Sequence, residues 1–245
     1  PCVWVMSPSR SMISGWILKK WWVVYNTTSV SETKTMATTR VAEMAENLMG
    51  SEIIKLGGEI RDLMAKGNKI YNFTIGDFDP KVFPIPVALK RGIMEAYANE
   101  MTNYPPANGL VELRKAVVNS IRKYQGLDYD AEEILIAGGA RPIIYAIFRT
   151  IVDPQDKVVF PVPSWNNNHY THLTFAQQVL VETRPENKFM PTVDELRPHL
   201  KDAALLALCS PLNPTGTVFS KEDLSAICDA VLEENERRGP DQKPL

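Results

Sequence analysis

Cysteine is scarce in this 245-residue chain: there are three, Cys2, Cys209 and Cys228, far apart and odd in number. That excludes a disulfide-built scaffold, and their separations offer no metal-ligand spacing. Free thiols in a reducing cytoplasm are the simplest reading. No apolar run reaches the roughly 18 residues that a membrane-spanning helix needs. Neither sign of charge dominates. The 27 Lys and Arg stand against 29 Asp and Glu, a net charge of −2, so nothing global draws the chain to nucleic acid or to an acidic membrane surface. There is no internal repeat, no low-complexity tract and no G-x-G-x-x-G spacing, which disfavours a plain dinucleotide-binding domain. What remains is an ordinary globular composition, 44% hydrophobic and 23% charged, with enough apolar material for a substantial core.

The first 35 residues stand apart. Residues 15–25 read GWILKKWWVVY, apolar and basic, too short to span a bilayer and followed by no convincing cleavage site. An interfacial anchor is one reading. The preferred one is a non-native or disordered extension, with Met36 as the natural first residue. On that reading the sequon at Asn26 carries no meaning.

Further on, a polar helical stretch after Met36 breaks at Gly50. Ser51 is placed to cap a helix to about Lys66 whose apolar face carries Ile53, Ile54, Ile60, Leu63 and Met64. Residues 70–75 read as a short strand, and 76–86 as a loop with three prolines and two Asp-bearing turns. Helices are expected over 86–99, 110–124, 141–152 and 221–236. The last is opened by Ser220 with Asp223 in a capping-box arrangement. Strands are expected over 134–137, 157–160, 178–182 and 203–209. Apolar strands alternating with helices imply an α/β sheet covered on both faces.

Ligands of open α/β sheets gather outside the carboxyl ends of the strands. Three strand ends here carry unusual residues. The first runs Ile134 to Ala137 into Gly138-Gly139-Ala140-Arg141-Pro142. Two bare glycines lead into a helix whose unpaired N–H groups suit a phosphate, although an ordinary strand-to-helix turn reads the same way. The second ends Val158 to Phe160 in Pro161-Val162-Pro163-Ser164-Trp165. The prolines exclude further regular pairing, and Trp165 is either a core residue or a platform for a planar ring. The third runs Leu205 to Cys209 into Ser210-Pro211-Leu212-Asn213-Pro214-Thr215-Gly216. The two X-Pro bonds favour a cis peptide, and Asn213 offers an amide donor unless it only makes an Asx-Pro turn. An anion cup, a stacking ring and a fixed amide fit a phosphorylated planar heterocycle with a ring oxygen.

These strings, read in order, resemble the class I/II aminotransferases of pyridoxal 5'-phosphate (PLP) fold type I, most closely the prokaryotic aspartate-aminotransferase-like subgroup. The matching strings are Phe73 to Asp79; Tyr104 to Gly109 with Glu112-Leu113-Arg114; Gly139-Ala140-Arg141; Asp153-Pro154 with Asp156; Pro163-Ser164-Trp165; and Asn213 to Gly216. They cover roughly residues 51–236. The resemblance implies a partial large domain in three α/β/α layers over 85–245, and an N-terminal arm with part of a small domain over 36–84. It implies that Gly139, Ala140 and Arg141 form part of the cofactor's phosphate cup through backbone amides. By the same resemblance Trp165 stacks on the pyridine ring. Asn213 bonds the ring oxygen and the substrate carboxylate, Gly76 lies at that carboxylate, and Tyr104 reaches the phosphate of a second subunit. A basic residue at Arg141 reaches the substrate's distal carboxylate in some members. The sequence departs from the family at Ser164, where Tyr is frequent, at Gln155, where Gly is usual, and at Pro142, where a polar residue is common.

The resemblance also implies an Asp for the pyridine nitrogen, a Schiff-base lysine and a carboxylate-binding arginine beyond Asn213. Residues 214–245 contain no matching motif, and neither Lys221 nor Lys243 is placed to substitute. The expected activity is amino-group exchange between an L-amino acid and a 2-oxo acid in a cytoplasmic homodimer, with no metal, nucleic-acid or membrane partner. The 245 residues alone are expected to be inactive. In the family, strands from the later part lie between strands present here, so these are not expected to pair completely. The alternatives are another fold type I reaction, such as a β-lyase or decarboxylase, and a non-catalytic PLP-fold binding or regulatory protein. One outcome tests the N-terminal reading: deleting residues 1–35 leaves solubility and fold unchanged, measured on protein made with and without them, whereas a loss of either shows the segment to be structural.

Overall fold

The computed structural model describes residues 40–74 and 76–245, so the proposed extension over 1–35, Met36 and Ile75 lie outside the described residues. The chain divides into two units between Glu46 and Asn47. In the first, α1 (Glu43–Glu46) is a single turn.

The second unit carries α2 (Glu52–Ala65), α3 (Val87–Ala98), α4 (Val111–Gln125), α5 (Ala140–Ile151), α6 (Asn167–Leu173), α7 (Val193–Leu200) and α8 (Lys221–Arg237). Those foreseen from periodicity begin and end within two residues of expectation. Ser51 holds the N-cap position of α2, but its side chain caps nothing. Gly126 closes α4 in the left-handed conformation at φ 70°, which glycine adopts at no steric cost. Ser220 Oγ accepts from Asp223 N at 3.0 Å and donates to the Asp223 carboxylate at 2.6 Å. The helix start is therefore capped, though the reciprocal bond runs to the hydroxyl rather than to the Ser220 backbone.

Three parallel strands form the sheet in the order β2-β1-β3: β1 (Lys157–Val162), β2 (Gln177–Glu182) and β3 (Ala203–Leu206). Val159 lies opposite Val179 on one side and Leu206 on the other. Side chains alternate across a strand, and β1 is buried both ways. Val158 and Phe160 pack with Phe148 of α5, Val152 just beyond its end and Tyr170 of α6. Val159 packs the other way, with Leu196 of α7, Ile227 of α8, Val181 and Ala203. Helices thus cover both faces, and the α/β/α layering follows from β1 being apolar at consecutive positions.

The sheet's rear end is tied by charged groups. Arg238 donates to the carbonyls of Leu200 at 3.0 Å and Ala203 at 2.8 Å, joining α8 to the α7–β3 turn. Arg197 of α7 pairs with Glu233 of α8. That hydrogen bond and charge hold the Glu233 carboxyl below the usual carboxylate range. With its folded pKa lowered, the contribution of Glu233 is present above that range and lost as pH falls through it. Both side chains are solvated, so the contribution is small.

Four expectations need correction. Residues 70–74 form no strand; Thr74 turns back to the Asn72 side chain through its amide (3.0 Å) and hydroxyl (2.6 Å). Residues 134–137 form no strand either. Their apolar pattern is right, but a strand exists only with a neighbour, and no strand among the described residues pairs with them. Pro161 does not end β1, since it pairs with Val181. Its missing donor faces the β3 side, as does the Val159 carbonyl that accepts from Ala207 N at 2.9 Å, and regular pairing with β3 has ended by then. Strand β3 stops at Leu206 rather than Cys209, where the proline-rich turn begins. The expected cis peptide is present at Ser210–Pro211 and again at Asn213–Pro214.

The segment 134–137 is held by a loop instead. Ile136 N donates to Asn108 O at 3.1 Å. Gly109, at φ 99°, lies so close that a Cβ there would sit 2.6 Å from Ile136 Cβ. Arg114, buried in α4, donates to Ala131 O at 2.6 Å and pairs with Glu132 at 3.0 Å just upstream. The loop bearing Tyr104 is thereby fastened to the approach to Gly138 and Gly139.

Two outcomes follow for unfolding of the full-length protein in denaturant. Phe160→Ala, at a site 1% exposed, costs about 3–5 kcal/mol, whereas Leu180→Ala, on the half-exposed side of β2, costs under about 1 kcal/mol. Gly109→Ala combines a forbidden φ with a clash against Ile136 and costs more than about 1 kcal/mol; an unchanged midpoint contradicts the docking of this loop.

Candidate functional site

The site is set by the direction of the sheet. Strands β1 and β3 are parallel neighbours, so the loops leaving their carboxyl ends emerge on one edge. One carries Trp165, the other Asn213. Helix α5 packs Phe148 on β1, with Val152 just beyond its end, and its first residue Ala140 reaches the same edge.

The start of α5 is bare. Gly139 takes φ 125°, ψ 168° at the N-cap, a conformation that side-chain-bearing residues avoid, and no side chain caps the helix. A Cβ on Gly138 or Gly139 would meet nothing within 4 Å. The first amides of a helix lack intrahelical partners. Here they carry the helix's partial positive charge beside the Arg141 guanidinium, which makes a cradle for an anion.

Trp165 is 41% exposed, so it is not a core tryptophan. Its indole Nε1 donates to the side-chain oxygen of Asn166 at 2.6 Å. The same oxygen accepts from Arg141 Nη2 at 2.9 Å, in the amide orientation that satisfies both donors. One contact thus joins the β1 loop to the start of α5. Sequence reasoning did not single out Asn166. The available signal was an Asn directly after Pro-Ser-Trp, a residue type that tolerates the left-handed backbone found here, φ 63°.

Asn213 is exposed, and its side chain makes no hydrogen bond among the described residues. Its loop is held from beneath. Buried Leu212 donates to Thr217 O and accepts from Gly216 N, each at 2.7 Å, and Thr217 Oγ1 donates to Met190 Sδ at 3.2 Å. The amide is presented on a fixed turn and left open.

Two expected site residues are not gathered in. Tyr104 is 92% exposed, and Gly76 has open space around it. Lys243 pairs with Asp153, which lies ahead of the amino end of β1, on the opposite edge from the site. That pairing raises the Lys243 pKa, the opposite of what a lysine base requires. Gln155 takes φ 73°, the conformation a glycine would adopt freely in that turn, and its backbone N donates to Phe175 O at 2.9 Å. No helix among the described residues is long and apolar enough to cross a membrane.

Comparison with known proteins agrees with this geometry. Aspartate aminotransferase of Bacillus subtilis is 26% identical over 196 residues, covering 79% of this chain and 49% of that protein. Aspartate/prephenate aminotransferase of Thermus thermophilus is 31% identical over 186 residues, covering 75% and 47%. The solved structure of the Thermus thermophilus aspartate aminotransferase with maleate superposes with a TM-score of 0.75 at 28% identity, over 80% of this chain and 51% of that one. The chain therefore spans about half the length of the curated relatives it matches. The family profile "Aminotransferase class I and II" matches residues 68–236, more than half of the chain, which therefore belongs to that PLP-dependent family.

Proposed function

We propose that the protein carrying this chain is an aminotransferase that moves an amino group between an L-amino acid and a 2-oxo acid. The observation that supports it most is the uncapped Gly138-Gly139 start of α5 beside an exposed Trp165, on the carboxyl edge of a parallel sheet. The open space at both glycines and the unpartnered Asn213 amide fit PLP.

In this reading the backbone amides of Gly139, Ala140 and Arg141 receive the phosphate dianion, with the helix dipole adding attraction. Trp165 covers one face of the pyridine and keeps water off it. Asn213 donates its amide to the ring oxygen and helps hold the substrate α-carboxylate, with Gly76 on the same carboxylate. When bound, PLP supplies an electron-withdrawing ring, and this chain's residues fix where that ring lies. Tyr104, exposed on a loop fastened through Gly109 and Ile136, is suited to reach the phosphate of a second subunit in a homodimer. Residues 36–84 are assigned to an N-terminal arm and part of a small domain, and 85–245 to the large domain. A cytoplasmic location accords with the free thiols of Cys209 and Cys228. The names of the relatives make aspartate the first amino donor to try.

The test is titration of the full-length protein with PLP. Trp165→Ala removes the stacking face, and Asn213→Ala removes one hydrogen bond of about 0.5–1.5 kcal/mol, roughly a 2- to 12-fold loss of affinity. Transfer from aspartate or glutamate to 2-oxoglutarate or oxaloacetate is assayed alongside. Unchanged PLP affinity in both variants refutes the assigned site, and PLP binding without amino transfer refutes the reaction.

A further inference from the structure

Asn166 is a buried polar residue with no part in the assignments above, and three observations make it more than a turn. Its backbone is committed to α6: Asn166 O accepts from His169 N at 3.0 Å and Tyr170 N at 3.2 Å. Tyr170 in turn packs against Phe148 of α5, with ring centroids 5.4 Å apart. The residue takes φ 63° and is 5% exposed. Finally, that side chain accepts from both Arg141 Nη2 and Trp165 Nε1.

The chemistry of the two donors makes the acceptor necessary. An indole N–H and a guanidinium can only donate, so neither satisfies the other. Brought together at the edge of the sheet, they need one oxygen between them. A carboxylate would serve geometrically, but it would cancel the Arg141 charge beside the uncapped start of α5. A neutral amide ties both groups and leaves that charge in place for an anion.

We infer that Asn166 is a positioning residue, whose side-chain oxygen locks the ring-stacking Trp165 to Arg141 and so fixes the stacking face relative to the phosphate-binding start of α5. This rests on the aminotransferase reading for its ligand, though the link itself does not. A second consequence follows. Arg141 is engaged by Asn166, so it acts within the pocket wall and is not free to grip the distal carboxylate of a substrate unless that bond breaks.

The link is tested without any ligand, on full-length protein labelled with 15N at the tryptophan indoles, with Trp165→Phe assigning the resonance. The Trp165 indole proton of the wild type exchanges slowly with solvent and is shifted downfield. Asn166→Gly keeps the left-handed backbone and removes the acceptor, so the proton moves to the position and exchange rate of a free indole. Asn166→Asp retains an acceptor and retains the protected resonance. With PLP, Asn166→Gly binds about 2- to 10-fold more weakly, the range that loss of one buried hydrogen bond gives. Asn166→Asp also binds PLP more weakly although its indole stays protected, because its carboxylate offsets the Arg141 charge. A free indole in the wild type, or a protected one in Asn166→Gly, overturns the link; this holds even where a variant fails to fold, because the wild-type resonance decides alone. A free indole in Asn166→Gly with unchanged PLP affinity overturns the positioning role. Absence of PLP binding in the wild type defeats the functional reading, while the indole resonance still judges the contact.

Discussion

The middle of strand β1 meets water on neither face, and the flanking strands and α5 to α8 are arranged around that constraint. Val158 and Phe160 face α5 and α6; Val159 faces α7 and α8. A strand buried in this way needs neighbours along both edges and helices over both faces. The parallel pairing with β2 and β3 supplies the first. Helices α5 and α6 on one face and α7 and α8 on the other supply the second. Because all three strands point one way, their carboxyl ends share an edge, and the chain must leave the sheet there each time through a loop. Those loops, and the start of α5, make the site.

The site therefore owes its geometry to packing at a distance from it. Helix α5 is located by Phe148 and Val152 in the core, which brings the bare turn at Gly138 and Gly139 beside Trp165. The Asn213 turn is located by Leu212 and by the Thr217 contact to Met190. Asn166 adds a direct tie between two of these parts, and its neutral oxygen leaves the positive character of the cradle intact.

Much of this was legible in the sequence where the signal is local. The helices with apolar residues every three or four positions stand where periodicity placed them, and the Gly-Gly, Pro-Ser-Trp and Asn-Pro-Thr-Gly strings mark the loops that carry the site. The expected strands fail over 70–74 and 134–137 because an apolar run specifies a strand only when a neighbour exists to pair with it. Helix α6 begins Asn-Asn-His and lacks a useful apolar period. Helix α7 did carry a readable signal: Thr192 accepts from Glu195 N at 3.3 Å and Glu195 accepts from Thr192 N at 2.8 Å, the capping box spelt T-x-x-E. Asn166 was invisible because its role depends on a left-handed backbone and on two donors that are adjacent only after folding. The open Tyr104 and Gly76 remain assigned by resemblance alone.

The central claim is that one edge of this sheet receives a phosphorylated ring, phosphate to the start of α5 and ring to Trp165. A crystal structure of the full-length protein soaked with PLP tests it most directly. The account predicts phosphate oxygens within hydrogen-bond distance of the backbone amides around Ala140 and Arg141, the pyridine lying flat against the Trp165 indole, and the ring oxygen facing the Asn213 amide. A phosphate seated elsewhere, or a ring that leaves Trp165 uncovered, would contradict it.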